Sequence, residues 1–111
     1  MKIDKETQDK LQELQITEHN IQNFLMQKQT FQVELNELDS ALEEIKKASD
    51  DVFKIVGQVM VKTEKNEVEK EMQEKKRIIG LRIKALENQE KILTQKLSSL
   101  QKELEDKMSK H

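Results

Sequence analysis

Five apolar residues in the second half of the chain, Met72, Ile79, Leu86, Leu93 and Leu100, stand seven residues apart without exception. A repeat of that period draws a narrow stripe along a helix, and such a stripe has to be covered by another helix. Ile83, Leu97 and Leu104 form a second row four residues after the first, with Lys76 and Glu90 as its polar members. The first half repeats the pattern. Leu14, Ile21, Leu35 and Leu42 lie on one row with Lys28 at the missing step, and Phe24, Phe31, Leu38 and Ile45 follow three residues later. These rows predict helices over 5–49 and 66–108, and no proline interrupts either. A helix of about 45 residues is a rod ~67 Å long. Asn66, with Glu69 three residues on, is the expected N-cap of the second helix, and Thr63 is its rival. Gly80 lies inside that helix, at a cost of about 1 kcal/mol relative to alanine. Close helix–helix approach and simple tolerance both account for it.

Between the rods, from Asp50 to Lys65, the period changes to two. The β-branched runs Val52-Phe53-Lys54-Ile55-Val56 and Val59-Met60-Val61-Lys62 flank Gly57-Gln58. Glycine accepts the positive φ at the first corner of a type II′ turn, so a hairpin over 51–62 is expected, pairing Val56 with Val59, Ile55 with Met60 and Lys54 with Val61. One face then carries Phe53, Ile55 and Met60, and the other Val52, Val56, Val59 and Val61. Two apolar faces and two open edges cannot persist in water on a lone hairpin. Val52, Phe53, Ile55, Val56, Gly57, Val59, Met60 and Val61 are therefore the expected oligomerisation element, with hairpins of several subunits joining into a sheet or barrel.

Composition excludes the alternatives. Of 111 residues, 38% are charged and only three are aromatic, all Phe, which is too little to fill a compact globular core. A net charge of −2 and the regular Leu/Ile spacing argue against disorder. The absence of cysteine rules out disulfide and thiolate chemistry and suits a reducing, cytoplasmic setting. The polar start MKIDKETQDK is not expected to act as a signal peptide, and no apolar run is long enough for a membrane span. Residues 1–49 hold six basic and ten acidic residues, whereas 66–111 hold eleven and nine. That asymmetry and the short connection favour an antiparallel return of the second helix beside the first. Leu14 then meets the neighbourhood of Leu100, Ile21 meets Leu93, and Lys28 comes near Glu87 and Glu90. Lys28 on the core row either fixes the register as a buried polar residue or extends its ammonium out to water.

Nothing in the chain reads as a catalytic, metal or cofactor site. His19 and His111 are the only histidines and have no converging ligands nearby. The Asp50-Asp51 pair stands where a helix ends and suits a turn better than acid–base work. Phosphate loops and calcium-loop patterns are absent from the sequence. Lys75, Lys76, Arg77, Arg82 and Lys84 form one basic cluster, but Glu69, Glu71 and Glu74 lie just upstream and no aromatic is close by in sequence. A salt-bridged solvated face is expected there, not a nucleic-acid stripe. The free ends of the rods carry more apolar residues than a two-helix contact consumes. Leu11, Leu14, Ile16 and Ile21 on the first helix face Leu97, Leu100, Leu104 and Met108 on the second, marking a tip surface for other proteins.

The whole chain resembles prefoldin, in particular the beta-class subunit of the archaeal type. The resemblance is carried by Gln27-Lys28-Gln29-Thr30, Ala41-Leu42-Glu43-Glu44, Val52-Phe53-Lys54 with Gly57, Val59-Met60-Val61-Lys62, and Leu81-Arg82 followed by Asn88-Gln89-Glu90. It implies a mainly α fold in a single domain over 1–111. Two long helices would form an antiparallel coiled coil joined by one β-hairpin, and the hairpins of a hexamer of two alpha-class and four beta-class subunits (alpha2beta4) would build a β-barrel platform. It further implies an ATP-independent holdase without enzymatic activity or cofactors, whose coiled-coil tips hold unfolded client proteins and pass them to a group II chaperonin. The alternative is a purely structural coiled-coil scaffold or spacer; neither reading involves nucleic acid or membrane.

Overall fold

The computed structural model of the chain describes residues 4–49 and 51–109. Two long helices are joined by one two-stranded antiparallel hairpin: α1 (Lys5–Lys47), β1 (Val52–Val56), β2 (Val59–Thr63) and α2 (Lys65–Ser109). Asp4 caps α1. Its carboxylate accepts the Thr7 N–H at 2.7 Å, satisfying one of the donors that a helix start leaves unpaired, and its carbonyl accepts the Gln8 N–H at 3.0 Å as the first bond of the helix. At the other end of α1, Lys65 sends its ammonium to the carbonyls of Lys46 and Ala48 at 3.2 and 3.3 Å. A cation there complements the negative end of the helix.

The start of α2 differs from the expected Asn66 cap. Thr63 remains in the strand, paired with Val52, so only Glu64 is left to turn the chain. The helix therefore begins at Lys65, the Glu64 carbonyl accepts the Val68 N–H at 3.1 Å, and Asn66 lies inside the first turn. An acidic residue just before a helix suits the positive end of its dipole.

The chain divides into two compact units, one of Met1–Gln29 with Ala85–His111 and one of Thr30–Lys84. In the first, Leu86, Leu100 and Leu104 are buried together with Thr17. Ion pairs join the two helices there, Glu6 to Lys107 at 3.2 Å, Glu13 to Lys96 at 3.0 Å and Lys10 to Glu103. Low numbers pair with high ones, so the helices run antiparallel. In the second unit, Leu42 and Ile79 are buried, Lys76 reaches Asp39 at 2.7 Å, and the Arg82 guanidinium lies 5.8 Å from the centre of the Phe31 ring. These contacts too are antiparallel. The buried apolar residues of both units fall on the seven-residue rows, as a coiled-coil seam requires.

Gly80 is exposed, and a Cβ placed on it would meet nothing within 4 Å. Close helix–helix approach within the chain therefore does not explain it. Gly80→Ala should stabilise the protein by about 1 kcal/mol by restricting the unfolded backbone. Thermal unfolding checks this, and a lower melting temperature would place another subunit against that side of α2.

Candidate functional site

The hairpin pairs Val52 with Thr63, Phe53 with Lys62, Lys54 with Val61, Ile55 with Met60 and Val56 with Val59, the register expected from the Gly57-Gln58 turn. Gly57 has φ of 62°, and no other described residue has a positive φ, which leaves the first corner alone in the left-handed region. That is the type II′ pattern, whose twist matches that of the flanking strands. Side-chain alternation then separates Phe53, Ile55, Met60 and Lys62 on one face from Val52, Lys54, Val56, Val59, Val61 and Thr63 on the other.

Both faces stand open. Ile55 is 71% exposed, Met60 65% and Val59 60%, and Phe53, Val56 and Val61 are exposed with them. No other part of the described chain gathers so many open apolar residues in so few positions. Two polar contacts hold the hairpin. Lys54 donates to both carboxylate oxygens of Glu71 on α2, at 2.8 and 3.0 Å, and Lys62 pairs with Asp51 at 3.4 Å. The hydrogen bond from Lys54, and then its charge, hold the Glu71 carboxyl below the usual carboxylate range. That bridge is complete above the ordinary carboxylate range and is lost as pH falls through the lowered Glu71 value.

The expected tip residues are separated by their surroundings. Ile16 and Met108 are open at 60% and 65%, whereas Leu100 and Leu104 are buried. Leu11, Leu14, Ile21 and Leu97 are half-buried, and Ile21 and Leu97 line one shallow groove with Gln22 and His19. Leu100 and Leu104 are on the seam rows, so α1 covers them, flanked by the ion pairs of Lys10, Glu13 and Glu6. Thr17, the most buried polar residue at 2% exposure, was missed by reading apolar residues alone. It stands seven residues before Phe24, on the same row, and its hydroxyl donates to the Glu13 carbonyl at 2.8 Å. That bond lets a polar side chain fill a core position without an unmet donor.

The remaining candidates are structural. Within the basic cluster, Lys76 pairs with Asp39, Arg77 with Glu74, and Arg82 covers Phe31. His19 is exposed, while His111 and Asp50 lie outside the described residues. Among the described residues, no three His, Cys, Asp or Glu side chains converge as a metal site would need, and no helix is long and apolar enough to cross a membrane.

A sequence profile described as "Prefoldin subunit" matches residues 8–111. The chain belongs to the prefoldin subunit family. It is 34% identical over 112 residues to "Prefoldin subunit beta" of Saccharolobus islandicus (strain L.S.2.15 / Lassen #1), covering 99% of this chain and 89% of that protein. It is 41% identical over 100 residues to "Prefoldin subunit beta" of Thermococcus gammatolerans, covering 88% of this chain and 86% of that protein. The crystal structure of the prefoldin beta subunit from Thermococcus strain KS-1 superposes with a TM-score of 0.88 at 36% identity, covering 95% of this chain and 94% of that one. Membership of the prefoldin family implies a chaperone role and assembly with other prefoldin subunits.

One polar pair lies on the seam of this prefoldin chain. Lys28 reaches Glu90 at 3.4 Å, and their side chains are 31% and 26% exposed. Both sit on rows filled mainly by apolar residues, so each is partly desolvated in return for one long ion pair. Replacing the two together, Lys28→Leu with Glu90→Leu, should raise stability by about 1 kcal/mol, because well-packed apolar replacements of such pairs are often neutral or stabilising. A lower melting temperature in the double variant would show that the pair contributes more than leucine packing.

Proposed function

We propose that this prefoldin chain is the beta-class subunit of an ATP-independent, cytoplasmic holdase, acting as a single domain over 1–111. It pools its hairpin with those of alpha-class partners and further copies of itself in a hexamer of two alpha-class and four beta-class subunits. The observation that carries this reading is the hairpin, apolar and open on both faces. An isolated two-stranded hairpin is marginal in water, and a wider sheet or closed barrel would cover both faces and remove both edges.

Client capture falls to the tip residues. Ile16 and Met108 offer apolar contact as they stand, while Leu97, Leu100 and Leu104 add to it when the ion pairs beside the seam part. Each tip offers a small patch, worth only a few kcal/mol at ~25 cal/mol per Å² of buried apolar surface. Stable holding then depends on several subunits gripping one unfolded chain at high effective concentration. Release to a group II chaperonin follows from the same weakness, since each tip lets go singly. The competing reading, a structural coiled-coil spacer, would give homodimers through the helical seam and would not suppress aggregation.

Co-expression with an alpha-class subunit, native mass determination and an aggregation assay test both halves. Ile55→Asp or Val59→Asp should abolish the hexamer while helicity is retained. Deleting residues 1–15 and 100–111 should keep the hexamer mass and remove the suppression of aggregation. A hexamer of unchanged mass from either hairpin variant would refute the pooled-hairpin reading, and suppression by the truncated hexamer would move client binding away from the tips.

A further inference from the structure

We propose that Met60 is an oxidation site whose sulfoxide blocks assembly, making pooling of the hairpins sensitive to peroxide; this rests on the hairpin reading above. The described methionines differ in their surroundings. Met26, Met60 and Met108 are each 65% exposed, whereas Met72 is half-buried on the seam. Only Met60 lies in the hairpin, paired with Ile55 and on one face with Phe53. A peroxide therefore reaches its sulfur in the unassembled chain, and the same sulfur is covered once hairpins pool.

In the reaction, a lone pair of the thioether sulfur attacks one peroxide oxygen. An S–O bond forms, the O–O bond breaks, and the departing hydroxide takes the proton of the transferred oxygen to leave as water. The methionine is oxidised by two electrons and hydrogen peroxide is reduced. The product is polar, and its oxygen is a hydrogen-bond acceptor in the middle of an apolar face. Phe53 and Ile55 offer it no donor. The one cation on that face, Lys62, is held by Asp51 at 3.4 Å. Lys54 is on the opposite face and held by Glu71. Covering the face would thus bury the acceptor unmet, or draw the exposed Lys62 ammonium out of water to meet it, and either costs more than the apolar contact it replaces.

The test treats the full-length chain with hydrogen peroxide before mixing it with an alpha-class prefoldin subunit, and follows each methionine by peptide mass spectrometry. In the unassembled chain Met26, Met60 and Met108 should each gain one oxygen. The oxidised chain should need roughly tenfold more protein, or greater, to assemble. Met60→Leu, oxidised in parallel, should assemble like untreated protein, although Met26 and Met108 carry the same modification. In the preassembled hexamer Met60 should resist peroxide while Met26 and Met108 react. Undiminished assembly of the oxidised chain, or equal loss in oxidised Met60→Leu, would overturn the proposal. Ile55→Asp run beside them separates the two levels. If it still assembles, the hairpin reading falls and this inference with it; if it does not, an oxidised chain that assembles defeats the inference alone.

Discussion

Burial of a narrow apolar seam between two antiparallel helices is the interaction on which everything else in this chain depends. The buried apolar residues Leu42, Ile79, Leu86, Leu100 and Leu104 all come from rows spaced by seven or offset from them by four. A stripe that narrow buries little per helix, and helices this polar have no other apolar face to use. Ion pairs such as Lys76–Asp39 and Glu13–Lys96 border the seam and bias which residues meet, but they are largely solvated and contribute little to stability. The seam also tolerates polar members where their bonding is met, as at Thr17 through the Glu13 carbonyl.

The hairpin obeys the opposite logic. The seam residues of the helices find their cover within the chain, whereas Phe53, Ile55, Val56, Val59, Met60 and Val61 do not. Period-two alternation would let a sheet hide one face and solvate the other, yet here both faces carry β-branched or aromatic side chains. The polar contacts, Lys54 on Glu71 and Lys62 on Asp51, hold the hairpin without covering its apolar residues. Stability and assembly are thereby separated. On the proposed reading, a substitution on the seam acts on the subunit, and one on the hairpin acts on its association.

Much of this was legible in the sequence, for identifiable reasons. A seven-residue row is a geometric constraint that composition hardly blurs, and Gly57 fixes both the turn and the strand register by its φ, so Val56 opposite Val59 followed directly. The start of α2 was read one residue late because Asn66 is a good cap in isolation, while strand pairing of Thr63 decided the boundary. Thr17 and Lys10 escaped notice because a search for apolar residues skips polar members of a row, although their spacing from Phe24 places them there. Leu100 and Leu104 were grouped with Ile16 and Met108 by position along the chain. Their own spacing already set them on the seam, and a seam residue is covered before any partner arrives.

That distinction bears on the client capture proposed above. Ile16 and Met108 present apolar surface at no structural cost, but two side chains give a shallow grip. The larger apolar area lies behind Lys10–Glu103, Glu13–Lys96 and Glu6–Lys107, with Glu6 also within 3.8 Å of Lys10. These groups hydrate readily when they separate, so parting them costs far less than exposing the leucines they border. In that proposal Leu100 and Leu104, buried in the free chain, would exchange the cover of α1 for that of an unfolded chain. Surfaces of that kind bind many partners loosely, and depend on number for strength.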